Sequence, residues 1–123
     1  MKENLIQAKS YAFAIRIVRL YQFLGENKKE FVLSKQLLRS GTSIGANVEE
    51  AIGAQSKPDF LSKMSITYKE ALETAYWLRL LKDTQYLTQS EFESVHADAD
   101  ELCRIIASIQ KSTKKALHDA RNS

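Results

Sequence analysis

Proline and glycine are scarce in this chain of 123 residues, with one Pro and four Gly. Long irregular stretches are therefore not expected. The single cysteine, Cys103, excludes a disulfide framework. It sits among Leu102, Ile105 and Ile106, and a small buried hydrophobe is its expected role. With no disulfides, a reducing cytoplasmic location is expected. Histidine occurs only at positions 96 and 118, too few for a histidine-rich metal site. No apolar run is long enough to span a membrane or form a signal peptide, because Gln7, Lys9, Ser10 and Arg16 interrupt the first apolar segment.

What remains is an ordinary globular composition, 44% hydrophobic and 27% charged with a formal net charge of +3, and length for one domain over residues 1–123. Charge is unevenly distributed. Thr84 to Cys103 carries Glu91, Glu93, Asp98, Asp100 and Glu101 without a Lys or Arg; Arg104 onward carries Arg104, Lys111, Lys114, Lys115 and Arg121 against Asp119. A helix running from acidic to basic matches its own dipole and needs no partner to explain it.

Spacing divides the chain into four helices. The first is expected from about Leu5 to Leu24 on the stripe Ile6, Phe13, Ile17, Leu20 and Leu24, capped by Asn4 and closed by Gly25. Tyr11, Ala14, Ile15, Val18, Tyr21 and Phe23 make it apolar nearly all round. A helix of that kind is buried on more than one side, and in a small chain the extra face can pack on another subunit. The second is expected from about Phe31 to Ile52, with Asn27 and Glu30 in capping-box spacing and the stripe Leu37, Gly41, Ile44, Val48 and Ala51. Its middle is unusually small, and two interior glycines cost about 1 kcal/mol each against alanine. Close approach of another backbone would compensate. The third opens at Ser56 with Pro58 in its first turn and repeats Leu61, Met64, Tyr68, Ala71, Ala75 and Leu78. The fourth opens with the capping box Thr88 and Glu91 and repeats Phe92, Val95, Ala99, Leu102, Ile106 and Ile109, fraying from about Lys114. Short connectors near 26–30, 53–57 and 84–88 join antiparallel neighbours. The expected fold is all-α, an antiparallel up-down-up-down four-helix bundle.

Little in the sequence speaks for catalysis. Glu93 and His96 fit the Glu-x-x-His spacing of di-iron bundles once, and Glu70 and Glu73 stand three apart, but a second Glu-x-x-His is missing. Patterns this short recur by chance, and a solvated helix face accounts for them. Ser40, Thr42 and Ser43 lack the strand-turn-helix setting of a nucleophile. No metal or cofactor is expected. Basic charge offers more. Lys28, Lys29, Lys35 and Arg39 gather around the start of the second helix, and Lys111, Lys114 and Lys115 lie near the end of the fourth. In an up-down bundle these clusters fall at opposite poles. They are candidate phosphate contacts that would not read sequence, with ordinary solubility as the competing explanation.

The run from Arg39 through Ser43, Gly45 and Asn47 to Glu50 resembles the signature of the four-helix-bundle proteins named after the 23S rRNA intervening sequence. The resemblance continues through Gln55-Ser56-Lys57, Asp59-Phe60-Leu61, Lys69-Glu70-Ala71, Glu73-Thr74 and Tyr76-Trp77-Leu78-Arg79-Leu80-Leu81, and covers about residues 5 to 110. Ser43, Asn47 and Glu50 match motif positions, while Ala51 replaces a common glycine. The resemblance implies a barrel-like homopentamer. A related branch, the accessory variability determinants of diversity-generating retroelements, binds a reverse transcriptase and nucleic acid through a positively charged pentamer. This implies RNA or DNA and a protein such as a reverse transcriptase as partners. The alternative is a structural or protein-interaction module in which Asn47, Glu50 and Glu73 serve helix packing.

Overall fold

A computed structural model describes residues 2–123, with side chains from Leu5 onward. Four helices follow in order: α1 Lys2–Lys28, α2 Leu33–Ile52, α3 Lys57–Asp83 and α4 Gln89–Arg121. Each packs on its sequence neighbours, and α1 also meets α4, while among the described residues the backbones of the diagonal pairs do not approach closely. This is an all-α bundle, and its short connectors give the up-down-up-down order. The α1–α4 seam is the least intimate of the four.

One shared core holds the helices together. Ile6, Phe13, Ile17 and Leu24 of α1 meet Leu37, Ile44, Val48 and Ala51 of α2. Met64, Ala71, Leu78 and Leu81 of α3 and Val95, Ala99, Leu102, Ile106 and Ile109 of α4 complete it. Leu20, Leu61, Tyr68, Ala75 and Phe92, expected in the stripes, are only half-buried at the seams. Cys103 is likewise half-buried rather than enclosed. Burial, then the Asp100 carboxylate, push its thiol above the ordinary cysteine value, partly opposed by Arg104.

The small middle of α2 remains helical because α1 lies directly on it. A Cβ at Gly41 would stand 2.8 Å from Cγ1 and Cγ2 of Ile17, and one at Gly45 would stand 3.3 Å from the Ser10 carbonyl oxygen. Close packing of the α1 side chain and backbone therefore offsets the propensity cost of two glycines. Next to them the buried Thr74 hydroxyl lies 3.0 Å from Ser40 Oγ and 2.7 Å from the Glu70 carbonyl oxygen, linking α3 to α2.

Helix ends depart from expectation in three places. Gly25 does not end α1, which continues to Lys28 and stops where Lys29 turns left-handed at φ 54°. Asn4 already lies in the helix, so it is not the residue before it, and its side chain falls outside the described residues. The Asn27–Glu30 box does not form, because Asn27 belongs to α1 and α2 begins at Leu33. Glu30 instead caps α2 from outside: its Oε1 accepts from Val32 N at 3.1 Å and Ser34 N at 2.7 Å. The Ser34 hydroxyl returns a bond to the Glu30 carbonyl at 2.9 Å. Finally, α4 does not fray at Lys114 but runs to Arg121. Ala116 and Leu117 stay half-buried there.

The other ends follow the sequence. Ser56 Oγ accepts from Asp59 N at 3.2 Å. Thr88 and Glu91 form the reciprocal box, with bonds of 3.1 and 2.8 Å. α3 closes with Tyr86 N donating to Leu81 O and Gln85 N to Lys82 O. Gln85 takes the left-handed position, φ 66°, that glycine usually fills.

Candidate nucleic-acid interface

The bundle places the two lysine groups at opposite poles. Lys28, Lys29 and Lys35 surround the α1–α2 connector and are all exposed. Lys28 Nζ stands 5.9 Å from the Phe23 ring centroid. None of these lysines forms an ion pair among the described residues. Lys111, Lys114 and Lys115 lie exposed and likewise unpaired on the last turns of α4. A cavity of about 440 Å³ beside them is lined by Ser56, Lys57, Phe60, Ser112 and Thr113. It shows that Ser112 to Ala116 lie level with the start of α3, so the last turns of α4, to Arg121, run past it.

Arg39 does not join the first group. Its guanidinium pairs with Glu73 and with Glu70, the latter at 3.3 Å, and it also reaches Gln36 Oε1 at 3.3 Å. Glu73 Oε2 in addition accepts the Trp77 indole N–H at 2.9 Å. Two carboxylates and an amide oxygen therefore occupy the cation expected to meet phosphate.

The motif residues Ser43, Asn47 and Glu50 lie along α2. Asn47 Nδ2 donates to the Ser43 carbonyl at 2.8 Å. Glu50 Oε1 accepts from Lys63 Nζ at 3.1 Å. The Ser43 hydroxyl is screened from solvent and meets no hydrogen-bond partner among the described residues. Glu50 and Glu73 thus tie α2 to α3. Across the α1–α4 seam, Arg16 reaches Asp98 at 2.8 Å and also Ser94, and Lys9 reaches Glu101 at 3.1 Å.

Glu93 and His96 do not converge. Glu93 accepts from Gln89 at 2.8 Å, and the His96 ring stacks on Phe92 with centroids 4.8 Å apart. Among the described residues no group of three or more His, Cys, Asp or Glu side chains is placed to hold a metal ion. No helix among them is long and apolar enough to cross a membrane.

The sequence reading missed two features of the lysine pole: the capping carboxylate of Glu30, and the exposure of Phe31 and Val32 beside it. Both are consequences of the left-handed turn at Lys29, which no glycine announces.

The family model for the 23S rRNA-intervening sequence protein matches residues 2–108. The chain belongs to that family. A solved family relative has the same bundle. It is described as a protein with unknown function from the S23 ribosomal protein family of Bacteroides thetaiotaomicron VPI-5482. It is 54% identical, with a TM-score of 0.89, over 90% of this chain and 99% of that one. No curated protein matches the chain at a significant level. Neither the family description nor the relative carries a catalytic assignment.

Proposed function

We propose that this family member is a non-catalytic scaffold that assembles as a homopentameric ring and holds RNA or DNA through phosphate contacts. The observation that carries the reading is a pair of bare apolar faces on diagonal helices. Tyr11, Ile15 and Val18 of α1 are 68%, 42% and 39% exposed; Leu72 and Tyr76 of α3 are 49% and 48% exposed. Because α1 and α3 are diagonal, these faces point away from each other. Joining one to the other in a second copy is a heterologous contact, which closes into a ring when the rotation divides the circle. The number five comes from the family resemblance. Unpaired lysines at both poles, multiplied around a ring, supply the density of charge that phosphate binding needs. The lone Cys103 suits a reducing cytoplasm.

Sedimentation velocity at micromolar concentration tests the assembly. The expected mass is about five times the 14.0 kDa of one chain, and a monomer would sink the scaffold. Fluorescence anisotropy with structured RNA and duplex DNA, at low and near-physiological salt, tests the binding. Affinity that falls steeply with salt supports it, and reversing charge at Lys28, Lys29 and Lys35 should abolish it. Arg39 is left out of that variant because its guanidinium ties α2 to α3.

One observation favours a second reading, a structural or protein-interaction module, with a reverse transcriptase among the partner types. Motif residues Glu50 and Glu73 are engaged in ties between helices. Absence of nucleic-acid binding even at low salt would leave that module in place.

A further inference from the structure

The connector between α1 and α2 carries an exposed aromatic ring in a segment with three unpaired lysines, of which Lys29 lines the same cleft while Lys28 lies over the Phe23 ring. Phe31 is 55% exposed and Val32 73%, in the run Lys28-Lys29-Glu30-Phe31-Val32-Leu33-Ser34-Lys35. The position of the ring is fixed from two sides. The left-handed turn at Lys29 and the Glu30 bonds to Val32 N and Ser34 N hold the connector backbone. Beneath the ring lies Gly25 of α1, where a Cβ would stand 3.5 Å from Phe31 Cε1, an ordinary contact distance. Beside it opens a cleft of about 360 Å³ lined by Tyr21, Gln22, Gly25, Glu26, Lys29 and Phe31. That volume lies in the range of small-molecule clefts.

We propose that this pole binds unpaired nucleotides, with a base laid on the Phe31 ring and the flanking phosphates on Lys28, Lys29 and Lys35. The inference rests on the nucleic-acid reading above and narrows it from phosphate tracking to single strands.

An exposed ring among cations matches how single strands are held, by base stacking together with a positive track for the backbone. A duplex hides its base faces within the stack and has nothing to offer the ring. Charge complementarity selects a polyanion over an apolar helix, because Lys28, Lys29 and Lys35 have no carboxylate partner among the described residues. The nearby Glu30 is occupied by backbone N–H groups. Gln22 and Glu26 at the cleft wall can accept hydrogen bonds from an exocyclic amino group, which adenine and cytosine carry.

The test is anisotropy with a labelled mixed-sequence single strand and the same strand annealed to its complement, at near-physiological salt. The single strand is expected to bind about ten-fold tighter than the duplex. Phe31→Ala should remove about ten-fold of the single-strand affinity, the loss of one stacked base, with duplex affinity unchanged. Phe31→Trp should restore it. Lys28→Gln or Lys35→Gln should weaken both forms and lower the salt slope by about one per lysine. Circular dichroism and sedimentation accompany each variant.

No binding to either form overturns both this inference and the nucleic-acid reading. Equal binding of both forms, insensitive to Phe31→Ala, overturns the stacking inference and leaves phosphate tracking standing. A smaller assembly mass for Phe31→Ala also overturns it, because the ring would then belong to a contact between copies.

Discussion

Gly41 shows how much a single methyl group decides. Alanine is the better helix former by about 1 kcal/mol, yet its Cβ would stand 2.8 Å from two Ile17 carbons. Overpacking of this kind costs about 1–3 kcal/mol, so Gly41→Ala should lower the urea midpoint by a net loss of about 1 kcal/mol. Gly53→Ala is the control, since its Cβ meets nothing nearer than 3.8 Å and the midpoint should barely move. Cys103 offers a second test at this scale. Its raised pKa leaves less thiolate at any given pH than a free thiol has. Iodoacetamide should therefore modify it more slowly than a free thiol at pH 8, and the rate should climb only at higher pH. A rate equal to free cysteine at pH 8 would contradict the burial that raises the pKa.

Helix ends carry the element-scale predictions. Glu30 sits three residues before the start of α2 and is nonetheless its cap. Glu30→Ala should cost about 1 kcal/mol in chemical denaturation, as the loss of a side-chain cap does, and Thr88→Ala should cost a similar amount at α4. At the end of α3, Gln85 occupies the left-handed position with a side chain. Gln85→Gly should stabilise the protein by up to about 1 kcal/mol, since glycine escapes the Cβ penalty there. The α3 and α4 starts were legible in the sequence because Ser56 and Thr88 cap through their own side chains at fixed spacing. The α1–α2 junction was not legible. Its turn uses a left-handed lysine and a carboxylate reaching forward, and neither leaves the Gly or Ser/Thr signal on which spacing arguments depend.

For the whole molecule, the decisive question is what covers the two outer apolar faces. Tyr11→Glu with Val18→Glu places charge on the outer face of α1 without touching the core. The expected outcome is a fall in assembly mass by sedimentation with helical content intact. Retention of the large assembly would show that α1 faces solvent rather than another copy. The candidate interface was partly legible at this scale. Clusters of lysine can be read from a sequence, and up-down topology sets them at opposite poles. The partner of each cation cannot be read in that way, and so Arg39 was grouped with lysines from which Glu70 and Glu73 divide it.

Periodicity and capping residues alone determined four helices, their antiparallel order and most of the core, because a 3.6-residue turn forces core residues into regular spacing. The family resemblance was equally carried by residue identity at fixed positions. Only the tertiary structure decided which charges are free, why two glycines survive inside α2, and that Phe31 faces solvent. Those outcomes depend on distances between helices far apart in sequence, set by packing and by the turn at Lys29 rather than by any local pattern.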